Sequence, residues 1–133
     1  MVAMADRARE RLKQMRDGML RLHKSLLDSE RALYERDIER ITTTGQYLGL
    51  VLNDPFFAWL RELSQFVVLV DETLDLEEPV TDADADRLIA QGRELLVPDE
   101  GGRGFARRYY EVLQRDPDAV LAHRDMIRVF GGL

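Results

Sequence analysis

The chain contains no cysteine. Disulfide staples, thiolate catalysis and every zinc motif built on cysteine are therefore excluded. Long apolar runs are missing as well: none approaches the roughly 18 residues that a membrane span requires, and the opening MVAMADRARERLKQ lacks the apolar core of a signal peptide. These absences predict a cytoplasmic protein with no membrane partner. Histidine occurs twice, as His23 and His123. The residues three before them are Leu20 and Val120, so the Glu-x-x-His pattern of di-iron bundles is absent, and so is His-Glu-x-x-His. Basic residues are absent between Asp71 and Asp86, where eight acids fall. That charge pattern argues against nucleic acid as a partner of this region, and fits either a solvated linker and helix N-terminus or a docking surface for a basic partner.

The charge of −6 is unevenly spread: residues 1–53 carry +2, residues 54–100 carry −10 and residues 101–133 carry +2. A chain of 133 residues that is 45% hydrophobic can bury one core without a metal or a disulfide, so a single domain over 1–133 is expected. Its most apolar stretch is DPFFAWLRELSQFVVLVDETL. Asp54 is a good N-cap and Pro55 suits the first helical position. Phe56, Trp59, Leu60, Leu63, Phe66, Val67, Val70 and Leu74 then share one face of a helix over about 55–74. Phe57, Val68 and Leu69 lie on the other side, which predicts a central helix with neighbours on several sides.

A long first helix is expected over about 5–41, interrupted or not at Gly18. Ala8, Leu12, Met15, Met19, Leu22, Leu26 and Leu33 recur in alternating steps of four and three, a coiled-coil-like seam. Such a helix would run about 55 Å and the central one about 30 Å. The seam thus outruns the core, and Ala8, Leu12, Met15 and Met19 are expected to meet a second subunit or to fold back at Gly18. Shorter helices follow over about 46–53, 82–97, 105–115 and 117–130. Thr81 with Asp84 reads as a capping box for the first of the last three, and Asp116-Pro117 starts the last.

Polar residues intrude on these apolar faces. Arg16, His23, Glu30 and Asp37 recur every seven residues inside the apolar arc of the first helix, and His123 lies within the face of the last. Buried polar groups need partners, so this line is either a set of structural hydrogen bonds or a site. The candidate ligand-binding residues are His23, Glu30, Tyr34, Asp71 and His123. They do not read as one metal centre, because His23 and Glu30 are two turns apart, about 10 Å along the axis. No catalytic residue and no cofactor is indicated. The DADAD string at Asp82–Asp86 fails as a calcium loop, with Arg87 where glycine is needed and Arg93 where a bidentate glutamate is needed. PDEGGRG has neither the Lys-Ser/Thr nor the strand of a phosphate loop.

The segments DPFFAWLRELS, LHKSLLDSERALYE and GFARRYYEVLQRDPDAVLAH together resemble a group of small bacterial all-helical proteins to which no activity is assigned. The resemblance spans roughly Leu22 to His123, implies an all-helical domain and transfers no functional residue. The expected fold is all-α: a single bundle of five or six helices with a long N-terminal helix and a buried central helix. The expected function is a non-catalytic interaction or regulatory protein, homodimeric or bound to another protein. A bundle that binds a small ligand or metal between its helices is the alternative.

Overall fold

A computed structural model describes residues 4–133; residues 1–3, which the expected domain includes, lie outside the described residues. The protein is an all-α bundle of six helices, and no strand occurs among the described residues. The helices are α1 (Met4–Asp37), α2 (Thr44–Asn53), α3 (Arg61–Asp75), α4 (Asp82–Leu95), α5 (Phe105–Arg115) and α6 (Pro117–Gly131), with one turn of 3₁₀ helix at Ala58–Leu60.

The helix that gathers the others is α1, against which α6, α3 and α4 all pack. Its seam of Ala8, Leu12, Met15, Met19, Leu22 and Leu26 is buried within the chain itself. The expectation that Ala8, Leu12, Met15 and Met19 need a second subunit is therefore corrected. The length argument had only α3 to cover α1, whereas α4 and α6 lie along it too. Gly18 does not break α1. A Cβ there would come within 2.8 Å of the Met126 sulfur, so this glycine lets α6 cross close to α1. Gly92 plays the same part on α4, where a Cβ would meet Met15 and Met19 at 2.9 Å and Phe66 at 3.2 Å. Two mid-helix glycines, each costing roughly 1 kcal/mol in helix propensity, thus mark the crossings on the hub.

α1 stops at Asp37, short of the expected Ile41. Thr43 takes an extended backbone and its hydroxyl accepts from the Gln46 N–H at 3.1 Å, which starts α2 at Thr44. Ile41 still turns inward, onto a small cluster with Tyr34 and Phe57.

The expected central helix is shorter and one-sided. Asp54 does not cap an α-helix; its carboxylate accepts from the Phe56 N–H at 2.8 Å and closes a turn. A 3₁₀ turn follows, with Phe57 at its N-cap and Leu60 at its end; both are buried, Phe57 in the Tyr34 cluster and Leu60 in the main core. α3 proper begins at Arg61 and buries Leu63, Phe66, Val67, Val70 and Leu74. Val68 and Leu69 face solvent, so the prediction of neighbours all round does not hold for them. α4 carries the Thr81–Asp84 capping box, with both reciprocal hydrogen bonds formed. α5 and α6 meet at Asp116, whose side chain accepts from the Asp118 N–H while Pro117 opens α6. Val120 and Ile127 of α6 are about half exposed.

Candidate functional site

The five predicted ligand-binding residues lie in separate surroundings. Asp71, on α3, pairs with Arg16 of α1 at 3.0 Å near the surface. Arg16 also reaches Asp17, and the carboxylates hold its guanidinium pKa above the ordinary value. His23, two turns along α1, is half-buried in a groove of about 230 Å³ beside Val51, Leu52, Phe57, Leu60, Arg61 and Ser64. Glu30, two turns further, is 1% exposed. Its carboxylate accepts from the Trp59 indole N–H at 3.2 Å and forms an ion pair with Arg115 at the end of α5. Tyr34 is packed edge-on to Phe56, with ring centroids 5.3 Å apart, and against Phe57.

His123 is on α6, where Nδ1 lies 2.5 Å from the Tyr109 hydroxyl of α5. Among the described residues no three His, Asp or Glu side chains gather as a metal-binding set. The single pocket built from His23, Glu30, Asp71 and His123 is therefore corrected: Asp71 pairs with Arg16, Glu30 with Trp59 and Arg115, His123 with Tyr109, and His23 borders a separate groove. The physical reason is the length of α1: successive residues of its polar line rise by about 10 Å, so Arg16 reaches Asp71 on α3, Glu30 reaches the 3₁₀ turn and α5, and Asp37 pairs only with its neighbour Arg36.

Glu30 is the most fully enclosed of these groups. The buried carboxylate has two donors, one neutral and one cationic, as a charge removed from water requires. Through it α1, the 3₁₀ turn and α5 converge on one side chain. Its satisfaction makes it a structural bond.

Tyr109 and His123 form a second buried polar pair, and His123 faces a groove. The Tyr109 side chain is fully enclosed, and burial pushes its phenol well above the ordinary value. The hydroxyl thus keeps its proton, and because Nδ1 is its one hydrogen-bond partner among the described residues we assign the donation to Nδ1, which makes Nε2 of the neutral ring the N–H. Burial also lowers the His123 pKa. On its other side His123 borders a groove of about 380 Å³ between the end of α4 and α6, lined by Arg93, Leu96, Val97, Pro98, Ile127 and Phe130. Arg93 donates to the Phe130 carbonyl at 2.7 Å, and its guanidinium lies 5.4 Å from the Phe130 ring centroid.

A larger groove, of about 490 Å³, separates α3 from α4, with a floor of Phe66, Leu69 and Leu95 and a rim of Glu62, Gln65, Gln91 and Glu94. Another surface feature is α2. No residue of this helix is buried, although TGQYLGLVLN has no charge; Leu48 is 56% and Leu52 66% exposed. A Cβ at Gly45 or Gly49 would have no neighbour within 4 Å. No helix among the described residues is long and apolar enough to cross a membrane. No family model, curated protein or solved structure matches the chain.

Three partners escaped the sequence reading: Tyr109, Arg115 and Trp59. The Tyr109 hydroxyl gives no sign in the sequence of which helix it faces. Arg115 had a signal, since the Asp116-Pro117 break fixes it at the end of a helix, but its pairing with a residue 85 positions earlier is tertiary.

The two histidines make folding pH-dependent. Burial lowers both pKa values from about 6.5. The unfolded chain therefore binds more protons in the interval from that value down to the folded ones, and stability falls as the pH drops through it. Urea unfolding between about pH 7 and pH 5 is expected to show this loss, and His23→Gln with His123→Gln is expected to flatten it. Equal slopes for wild type and double variant would contradict the assignment.

Proposed function

We propose that the chain is a non-catalytic helical interaction protein that pairs with a second copy of itself through α2. The observation that carries this reading is an uncharged helix lying on the surface with Leu48 and Leu52 exposed and none of its residues buried. Each copy bears a charge of −6, so an uncharged patch is where two copies can approach with least repulsion. The relief suits a self-complementary contact. Leu48 and Leu52 make a ridge at i, i+4 spacing, and Gly45 and Gly49 make an open strip at the same spacing. A two-fold axis can set the ridge of one copy on the strip of the other. The absence of cysteine agrees with a cytoplasmic setting. Neither nucleic acid nor a membrane is part of this reading.

A helix of ten residues is about 15 Å long, which is small for an interface. The expected dimer is accordingly weak and concentration-dependent. Sedimentation equilibrium is expected to show a mass rising from 15.4 kDa towards twice that value as concentration increases. Leu48→Glu is expected to hold the mass at that of the single chain while changing stability by less than about 0.5 kcal/mol, because the site is exposed. A wild-type chain that stays at 15.4 kDa up to about millimolar concentration, where even a weak contact of some 4 kcal/mol would register, would overturn the proposal.

A further inference from the structure

The groove between the end of α4 and α6 has a different chemistry from α2. Its walls are Leu96, Val97, Pro98, Ile127 and Phe130, with Val97 and Ile127 about half exposed. Two polar side chains interrupt this apolar lining, Arg93 and His123, and both offer donors. Arg93 uses one guanidinium N–H on the Phe130 carbonyl, and an arginine has five. His123 is fixed from behind by the fully buried Tyr109, which occupies Nδ1 and sets the ring so that Nε2 carries the hydrogen. No buried side-chain nitrogen or oxygen among the described residues lacks a partner, so Nε2, which has none within the protein, reaches solvent. The result is an apolar trough with a cation and an oriented N–H on its border, and with no acid among its lining residues.

We infer that this groove binds a small amphipathic carboxylate, its hydrocarbon or aryl body against Val97, Ile127 and Phe130 and its carboxylate shared between Arg93 and the His123 Nε2–H. The volume of about 380 Å³ lies within the range of small-molecule sites, at its lower end. Charge selects the head group: an anion gains an ion pair with the guanidinium, a cation is repelled by it, and an alcohol offers the same donors only an uncharged oxygen. Tyr109 is a positioning residue. It never touches the ligand and acts by holding the tautomer and plane of the ring.

Decanoate and decanol, at concentrations where both are monomeric, test the assignment by amide and side-chain NMR titration of the intact chain. Decanoate is expected to move the signals of Val97, His123 and Ile127 saturably, and decanol to bind about tenfold more weakly, the difference of one ion pair. Ile127→Glu, at an exposed position that tolerates substitution, is expected to abolish decanoate binding while leaving the rest of the spectrum in place. Arg93→Gln is expected to bring decanoate down to the level of decanol. Absence of saturable shifts at these residues, equal affinity for the two probes, or unchanged binding by Ile127→Glu would each overturn the inference. The α2 contact is read separately, because Leu48→Glu alters mass and leaves decanoate binding as in the wild type.

Discussion

Arg115→Met is expected to lower the unfolding free energy by about 3 kcal/mol at neutral pH, the low end of the range for removing one partner of a buried ion pair. The size follows from the asymmetry of the pair: the Glu30 side chain is 2% exposed and Arg115 31%. Removing the arginine leaves a charge that water cannot reach, with only the Trp59 N–H to accept from. Methionine keeps much of the apolar stem of Arg115, so the loss reports the charge and not the packing. The double variant Glu30→Gln with Arg115→Met is expected to recover most of the loss, because an amide can still accept from Trp59 and carries no charge to be desolvated. Urea unfolding followed by circular dichroism gives all four corners of the cycle. Additive losses, with the double variant as weak as the sum of the singles, would show that the pair contributes nothing beyond its separate contacts.

The Glu30 cycle also shows what the sequence could and could not announce. Glu30 stood on the apolar arc of α1 by simple counting, and its burial followed from that count. Arg115 and Trp59 did not, because a partner is chosen by how helices cross, and no periodicity within one helix carries a crossing angle. His123 behaves the same way. Its place on α6 was legible, but the Tyr109 hydroxyl beside it was not. Two helix starts were clear because each has its own local signal: Thr81 with Asp84 for α4 and Asp116 with Pro117 for α6.

Two local signals misled for physical reasons. Asp54-Pro55 has the residues of a helix start, yet the Asp54 carboxylate closes a turn on the Phe56 N–H and one 3₁₀ turn precedes α3, with Phe57 buried in the Tyr34 cluster and Leu60 in the main core. In the run from Phe66 to Val70, the apolar side chains Val68 and Leu69 suggested burial that no helix supplies. Leu69 instead forms part of the floor of the α3–α4 groove, which is open to solvent. Apolar composition shows where a side chain can be buried; only the arrangement of the neighbouring helices shows whether it is.

Met15→Glu is expected to unfold the chain, and not merely to separate two copies of it. Met15 is 0% exposed. Its sulfur would lie 2.9 Å from a Cβ at Gly92, which places it where α4 crosses the hub. A glutamate here would put a carboxylate among Met19, Phe66 and other apolar side chains with no donor assigned to it, and such unpaired buried charge belongs to the changes that cost more than about 4 kcal/mol. A domain of ordinary stability has about 5–15 kcal/mol to lose, so much of the helical signal is expected to disappear at 25 °C or at a slightly higher temperature. The comparison with Leu48→Glu is what gives the experiment its meaning. Both substitutions place the same acid on an apolar helix position, but one position is enclosed by the chain and the other lies open. If Met15→Glu kept its circular dichroism and melting profile and lost only mass in the centrifuge, the seam of α1 would be an interface between subunits after all, and the packing of α4 and α6 on α1 would have to be abandoned.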